Sequence, residues 1–258
     1  MNSSKKTPAP VDTFPLFSTD SKEADVLNYD FSTGAVFLLD KPKHWSSFRP
    51  VGLLRKLINL KKVGHAGTLD PMATGLLVLC VGKATKSISL IQDSQKEYVA
   101  EVQFGSSTLS YDAETEVDQE SDYSHITSEA ICEQLAQAFS GIIKQVPPMY
   151  SALKVKGERL YKMARRGEEI ERKEREVEIF ETELVHFDSA SGKAEIRILC
   201  GKGTYIRSIA HDLGHLLGTH AHLTGLRRTK SGSYTVEKAL TVHNLVTLFN
   251  AHDDIDLS

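Results

Sequence analysis

The stretch "GHAGTLDPMATGLLVLCVG", Gly64 to Gly82, sets one carboxylate, Asp70, ahead of an apolar run, Leu76 to Val81. That run is β-prone and bounded by Gly75 and Gly82, the pattern of a strand covered on both faces. Asp70-Pro71 reads first as a turn starter, since Asp can bond its own backbone and Pro pre-sets the turn dihedral. A carboxylate at the mouth of a buried strand is also partly stripped of water, and the stretch contains no Lys or Arg to balance it. Its counter-charge must come from elsewhere in the chain.

Working outward, "AVFLLDKP" gives a strand from Ala35 to Leu39, and "RPVGLLRKLINLKK" gives a helix with Leu53, Leu54 and Leu57 on one side. In "KEYVAEVQFG", Tyr98, Ala100, Val102 and Phe104 share one face of a strand. Ile131, Leu135 and Phe139 recur at helical spacing between a Thr127 cap and a Gly141 stop. Two strands follow, around Glu178 to Phe187 and Ala194 to Cys200. An amphipathic helix then carries Ile206, Ile209, Ala210, Leu213 and Leu217, with Gly218 as its stop. A last strand near "SGSYTV" and a helix near "LTVHNLVTLF" complete the chain. Strands mixed with helices, without βαβ alternation, predict an α+β class with a largely antiparallel sheet flanked by helices.

With 258 residues and 40% hydrophobic content the chain can bury a sizeable core. A net charge of −3 excludes indiscriminate coating of nucleic acid but not a local basic surface. Cys80, Cys132 and Cys200 are odd in number and far apart, which suits a reducing, cytoplasmic setting. No run is long enough for a membrane span and no signal segment precedes residue 34, so no membrane partner is expected. Residues 1–33 read as a loose polar tail.

Arg207 is an anomaly. It falls in the first turn of its helix, off the apolar stripe, where the dipole disfavours a cation. An anion nearby would repair this, and Asp70 is in want of a cation. His211 and His215 sit four residues apart in "HDLGH", spacing that suits a zinc helix, but Asp is short for the usual Glu and no remote third ligand is evident. The stretch "SALKVKGERLYKMARRG" is net positive and interleaved with tyrosine, as looped or single-stranded RNA requires, although the glutamates after it also suit a solvated face.

Together these motifs resemble the TruB family of tRNA pseudouridine synthases. "GHAGTLDPMATGLLVLCVGKATK", "KEYVAEVQFG", "TLSYDAETE", "QVPPMYSALKVKGERLYKMARRG", "CGKGTYIRSIAHDLG" and "LRRTKSGSY" match its motifs in order, over roughly residues 34–249. The resemblance implies the pseudouridine synthase fold, with a catalytic domain at 34–230, an RNA-clamping segment at 145–175 and a short extension at 231–258. It implies isomerisation of the uridine at position 55, in the T loop of tRNA, with Asp70 as nucleophile. Arg207 would be the ion-pair partner of Asp70, and Tyr98 would stack on the flipped uracil. His65 would fill the space that the base leaves, with Gly67 and Thr68 beside it. Tyr205 and Leu226 would line the pocket, Lys41 would support it, and Lys154, Arg165 and Arg166 would hold the T arm.

No cofactor and no metal are implied, and a monomer acting without guide RNA is expected, since too few residues follow Arg228 for a complete domain of PUA type. His44 and Thr115 stand where the family usually shows glycine. Two other readings compete: a non-catalytic RNA-binding module on the same scaffold, and a zinc hydrolase built on His211 and His215.

Overall fold

The apolar run after Asp70 is a strand in the computed structural model, which describes residues 9–155 and 157–250. The elements used below are, in chain order, β1 (Ala35–Lys41), α1 (Phe48–Leu57), β2 (Val63–His65), β3 (Thr74–Val81), β4 (Lys96–Phe104), α2 (Ser128–Ala138), β5 (Gly141–Gln145), α3 (Leu160–Ala164), β6 (Arg175–Asp188), β7 (Lys193–Cys200), α4 (Ile206–Leu216), β8 (Ala221–Ser231) and α5 (Val242–Leu248). The chain forms two compact units. One comprises the chain up to Gln95 and from Arg227 onward; the other is Lys96–Leu226. These cut the chain differently from the linear division into 34–230 and 231–258.

In the first unit β3 pairs antiparallel with β1, while β2 and residues Arg227 and Arg228 of β8 pair with it on the opposite edge. Alternate residues of β3 enter two separate apolar clusters. Leu77, Leu79 and Val81 pack with Val51 and Leu54 of α1 and with Leu245 and Val246 of α5. Leu76, Val78 and Cys80 pack with Ala66, Ala84, Ile91 and Val236. Both faces are covered, which is why the sequence reads as continuously apolar. Gly75 starts the run at φ +97°, and a Cβ there would stand 2.3 Å from the Arg228 carbonyl oxygen, so only glycine lets β8 approach.

The described part of residues 1–33 corrects the reading of a loose tail. Phe17, Val26 and Phe31 are buried in the first cluster, and the Phe17 ring stacks on Phe37 at 4.8 Å. Leu16–Phe17 also pairs parallel with β1. The segment is polar on average, but its few aromatic residues supply enough apolar area to hold it down. Residues 1–8 of the tail and 251–258 of the extension lie outside the described residues.

The second unit is built on an antiparallel sheet in the order β4, β7, β6, β5. On β4, Ala100, Val102 and Phe104 are buried and Tyr98 half-buried on the same face, as the alternation predicts. The Thr127 hydroxyl accepts from the Ala130 N–H and caps α2, whose Ile131 and Leu135 are buried. On α4, Ile206, Ile209, Ala210 and Leu213 are buried as expected, but so is Arg207. The strand expected near Ser231 is present as Tyr234–Thr235, paired antiparallel with β8, whereas β8 itself, Ala221–Ser231, has no counterpart in the sequence reading because polar and apolar residues do not alternate along it. Among the described residues no helix is long and apolar enough to cross a membrane.

Candidate active site

Asp70 opens a turn in the first unit, with the Ala73 N–H donating to its carbonyl oxygen at 3.0 Å, so the turn reading of Asp-Pro holds. The turn is gripped on both sides. Before Asp70, the Ser47 hydroxyl donates to the Leu69 carbonyl at 2.9 Å and accepts from the Leu69 N–H at 2.8 Å, both bonds buried. After it, the Pro71 carbonyl accepts from the His44 N–H at 2.7 Å. Lys41 is fully buried, and its ammonium donates to the carbonyls of Pro42 and Trp45 at 2.9 and 2.7 Å. Arg228, 1% exposed, donates to the carbonyls of Leu76 at 2.7 Å and Gly67 at 3.3 Å. A half-buried carboxylate is thus held on a loop pinned at residue 67 by Arg228 of β8, at 69 by Ser47, the cap of α1, and at 71 by Lys41 of β1 and the His44 backbone, the rigid support a reacting group needs.

His44 has φ +68°, the left-handed region that glycine favours. The turn therefore keeps the shape a glycine would take, and the histidine bears a strain on the order of 1 kcal/mol. His65, on β2, is half-buried. Burial holds it below its usual pKa, offset in part by a Gly67 backbone bond and reinforced by the Arg228 charge. Its ring meets the Phe48 ring edge to face, with centroids 5.2 Å apart. Thr68 is exposed.

Arg207 belongs to the second unit, and there it is neither solvated nor without local compensation. It is 3% exposed, and its guanidinium lies 3.4 Å from the Asp112 carboxylate, itself fully buried. It also donates to the carbonyls of Ser110 at 3.0 Å and Tyr150 at 2.8 Å. The other Asp112 oxygen accepts from the Ser110 hydroxyl at 2.6 Å and the Glu114 N–H at 2.9 Å. Thr115 stiffens this loop, because its hydroxyl accepts from the Ser110 N–H at 3.1 Å. Asp112, which the sequence reading did not name, is thus one anion beside Arg207. Desolvation forces a buried cation to take a partner, and Asp112 supplies one.

Tyr98 lies on β4 opposite Ile198 of β7. The Tyr205 backbone exchanges two hydrogen bonds with the buried Gln145 side chain, at 2.9 and 2.8 Å, and Arg175 stands over its ring. Leu226 is half-buried on β8. In the basic segment Lys154 is exposed and Arg165 lies 5.6 Å over the Tyr161 ring. Arg166 is different: its guanidinium is bound by Glu158 and Glu168, each at 2.7 Å. Met149, Leu160 and Met163 give the segment a small apolar core of its own.

His211 and His215 approach with their Nε2 atoms 3.2 Å apart, and the Tyr111 ring stacks on His211 at 3.8 Å. Among the described residues no three His, Cys, Asp or Glu side chains are placed to hold a metal ion. Burial pushes His211 down from 6.5 to about 4, with His215 and His220 acting in the same sense. Burial pushes the neighbouring Asp212 up from 3.8 to about 6. The two oppose each other. A depressed His stabilises the fold above pH 6.5 and loses that contribution as pH falls toward 4; a raised Asp stabilises below pH 3.8 and loses it as pH rises toward 6. Thermal melts at pH 7 and pH 5 should therefore show a smaller acid-induced drop in Tm for His211→Gln than for wild type. Asp212→Asn should show a larger one.

Residues 55–206 match the family profile of the TruB family pseudouridylate synthase N-terminal domain, and residues 207–257 that of the tRNA pseudouridylate synthase B C-terminal domain. The chain belongs to the TruB family. It is 46% identical over 221 residues to the tRNA pseudouridine synthase B of Phocaeicola vulgatus, covering 83% of this chain and 93% of that one. With the enzyme of the same name from Flavobacterium johnsoniae it shares 46% over 220 residues, covering 83% and 95%. Among solved structures it resembles a chain of a Cbf5-Nop10-Gar1 complex, with TM-score 0.66 and 30% identity, over 88% of this chain and 58% of that one.

Within this TruB chain, sequence reasoning missed Ser47, Asp112, Gln145 and Arg228. Ser47 and Arg228 each sit in a doublet, Ser46-Ser47 and Arg227-Arg228, whose two members have different fates. Arg227 pairs with Asp40 through two bonds of 3.0 and 2.7 Å, whereas Arg228 is buried. A buried position is not visible in a doublet of identical letters.

Proposed function

We propose that this protein isomerises uridine to pseudouridine in tRNA, at position 55 in the T loop, with Asp70 as the nucleophile and without guide RNA, cofactor or metal. The observation that carries the proposal is the family match over residues 55–257, together with a carboxylate presented on a loop pinned from three elements. Attack by the Asp70 carboxylate on the uridine lets the bond between N1 and C1′ break. The base turns, a bond forms between C5 and C1′, the C5 proton leaves and N1 gains one, and the carboxylate is released. Atoms and charge balance without a co-reactant. In this reading Tyr98 stacks on the uracil and His65 fills the space it leaves, offsetting the few kcal/mol that flipping costs. The same reading assigns Arg207, Tyr205, Leu226, Lys41, Gly67 and Thr68 to the site.

The test is to incubate purified protein with tRNA transcripts, with no second RNA and with a chelator present, and to map pseudouridine. A single new pseudouridine at position 55 is expected. Modification elsewhere, or none while binding is intact, would refute the assignment, and the latter would favour the non-catalytic RNA-binding module.

The basic segment gives a second expectation. Removing one phosphate-binding cation lowers the log–log salt slope of RNA binding by about 0.7 to 0.9. Lys154→Ala and Arg165→Ala should each lower it by about that amount in filter-binding titrations across salt. Arg166→Ala should change it far less, because Glu158 and Glu168 already occupy that guanidinium.

A further inference from the structure

Between Asp40 and Asp93 the sequence carries nine Lys or Arg and one acid, Asp70. All of those cations except Lys41 are exposed. Within this basic stretch of sequence stands Phe48, the first residue of α1, 65% exposed and the most exposed phenylalanine among the described residues. One exposed apolar side chain is ordinary on a protein surface, so exposure alone decides nothing. Its surroundings do.

Phe48 follows Ser47, whose hydroxyl grips Leu69 through both its backbone groups, and Leu69 precedes Asp70. The ring is therefore held in register with the reacting carboxylate. The His65 ring meets it at 83° between the ring planes, and at 65% exposure the Phe48 side chain still leaves aromatic surface open. The other large aromatic of the loop, Trp45, cannot serve, since it packs against the apolar core and Arg49 covers its ring at 4.1 Å. An open aromatic face in a segment whose exposed cations outnumber its single acid is the combination that single-stranded RNA selects: phosphates on the cations, a base on the ring.

We propose that Phe48 is a positioning residue that stacks on an unpaired base of the tRNA beside the target uridine, with His65 as the second wall of that shelf. The inference rests on the functional reading above and adds an RNA contact to it. Binding is measured in an Asp70→Asn background, so that turnover does not enter, with tRNA transcripts as the probe. Adding Phe48→Ala should raise Kd by roughly five- to 150-fold, the range for loss of one base–aromatic stack. Tm should stay within about 1 °C, since so exposed a ring buries little. Phe48→Trp and Phe48→Tyr should restore binding to within a few-fold, whereas Phe48→Leu, apolar but without a π face, should not.

If Phe48→Ala binds as tightly as its parent, the stack does not exist. If Leu restores binding as well as Trp, the interaction is merely apolar and the inference fails. These failures are separable from that of the functional reading, which is judged by pseudouridine formed by the otherwise wild-type protein.

Discussion

Asp70→Asn should form no detectable pseudouridine, while its tRNA affinity stays within a few-fold of wild type. Asn has nearly the volume of Asp, and its carbonyl oxygen still accepts hydrogen bonds, so the turn from Asp70 to Ala73 and the clamps on Leu69 and Pro71 have no reason to change. What is lost is the anionic nucleophile, which an amide does not replace. Affinity for RNA comes from phosphate and stacking interactions, none of which needs that charge. Single-turnover mapping on saturating enzyme, paired with filter binding, separates the two quantities. A pseudouridine yield near wild type would mean that another residue does the chemistry. A large fall in Tm would instead make Asp70 chiefly a turn residue, the plainer meaning of Asp-Pro.

How far this could be read from sequence depended on whether a residue's fate is local. The strand after Asp70 was legible because burial on both faces leaves a mark in consecutive letters, Leu76 to Val81, and the two clusters that receive alternate side chains bear this out. Caps and stops were equally local: Thr127 at the start of α2, and Gly218 at φ +72° after α4. The N-terminal segment was misjudged because average polarity conceals a few aromatic anchors such as Phe17 and Phe31.

Within the candidate site, Arg207 stood out as a broken rule, yet nothing near it in sequence names Asp112, which lies on a separate loop. The burial of Lys41 and the role of Arg228 were hidden for a related reason. Their charges are satisfied by backbone carbonyls, at Trp45 and Leu76 among others, and carbonyls carry no sequence signature. Conversely, the clustered Lys and Arg of the basic segment overstated its free positive charge, because Glu158 and Glu168 come back to bind Arg166.

The largest loss of stability should come from Asp112→Ala. Asp112 is 0% exposed, and the Arg207 guanidinium beside it belongs to a residue that is 3% exposed, so water can replace neither partner. Removing one member of a buried ion pair leaves the other charge uncompensated, at a cost of about 3 to 5 kcal/mol. For a chain of this size that corresponds to a fall in Tm of roughly 6 to 20 °C. Asp112→Asn should cost less, since its side-chain oxygen can still accept from the Ser110 hydroxyl and the Glu114 N–H. The double variant Asp112→Ala/Arg207→Ala distinguishes pairing from mere packing. If the pair is what matters, the second substitution removes the stranded charge, and the double variant loses clearly less than the sum of the two single losses. Two results would show that Arg207 draws its compensation from another group. One is strict additivity in chemical or thermal melts; the other is an Asp112→Ala protein that melts within about 2 °C of wild type.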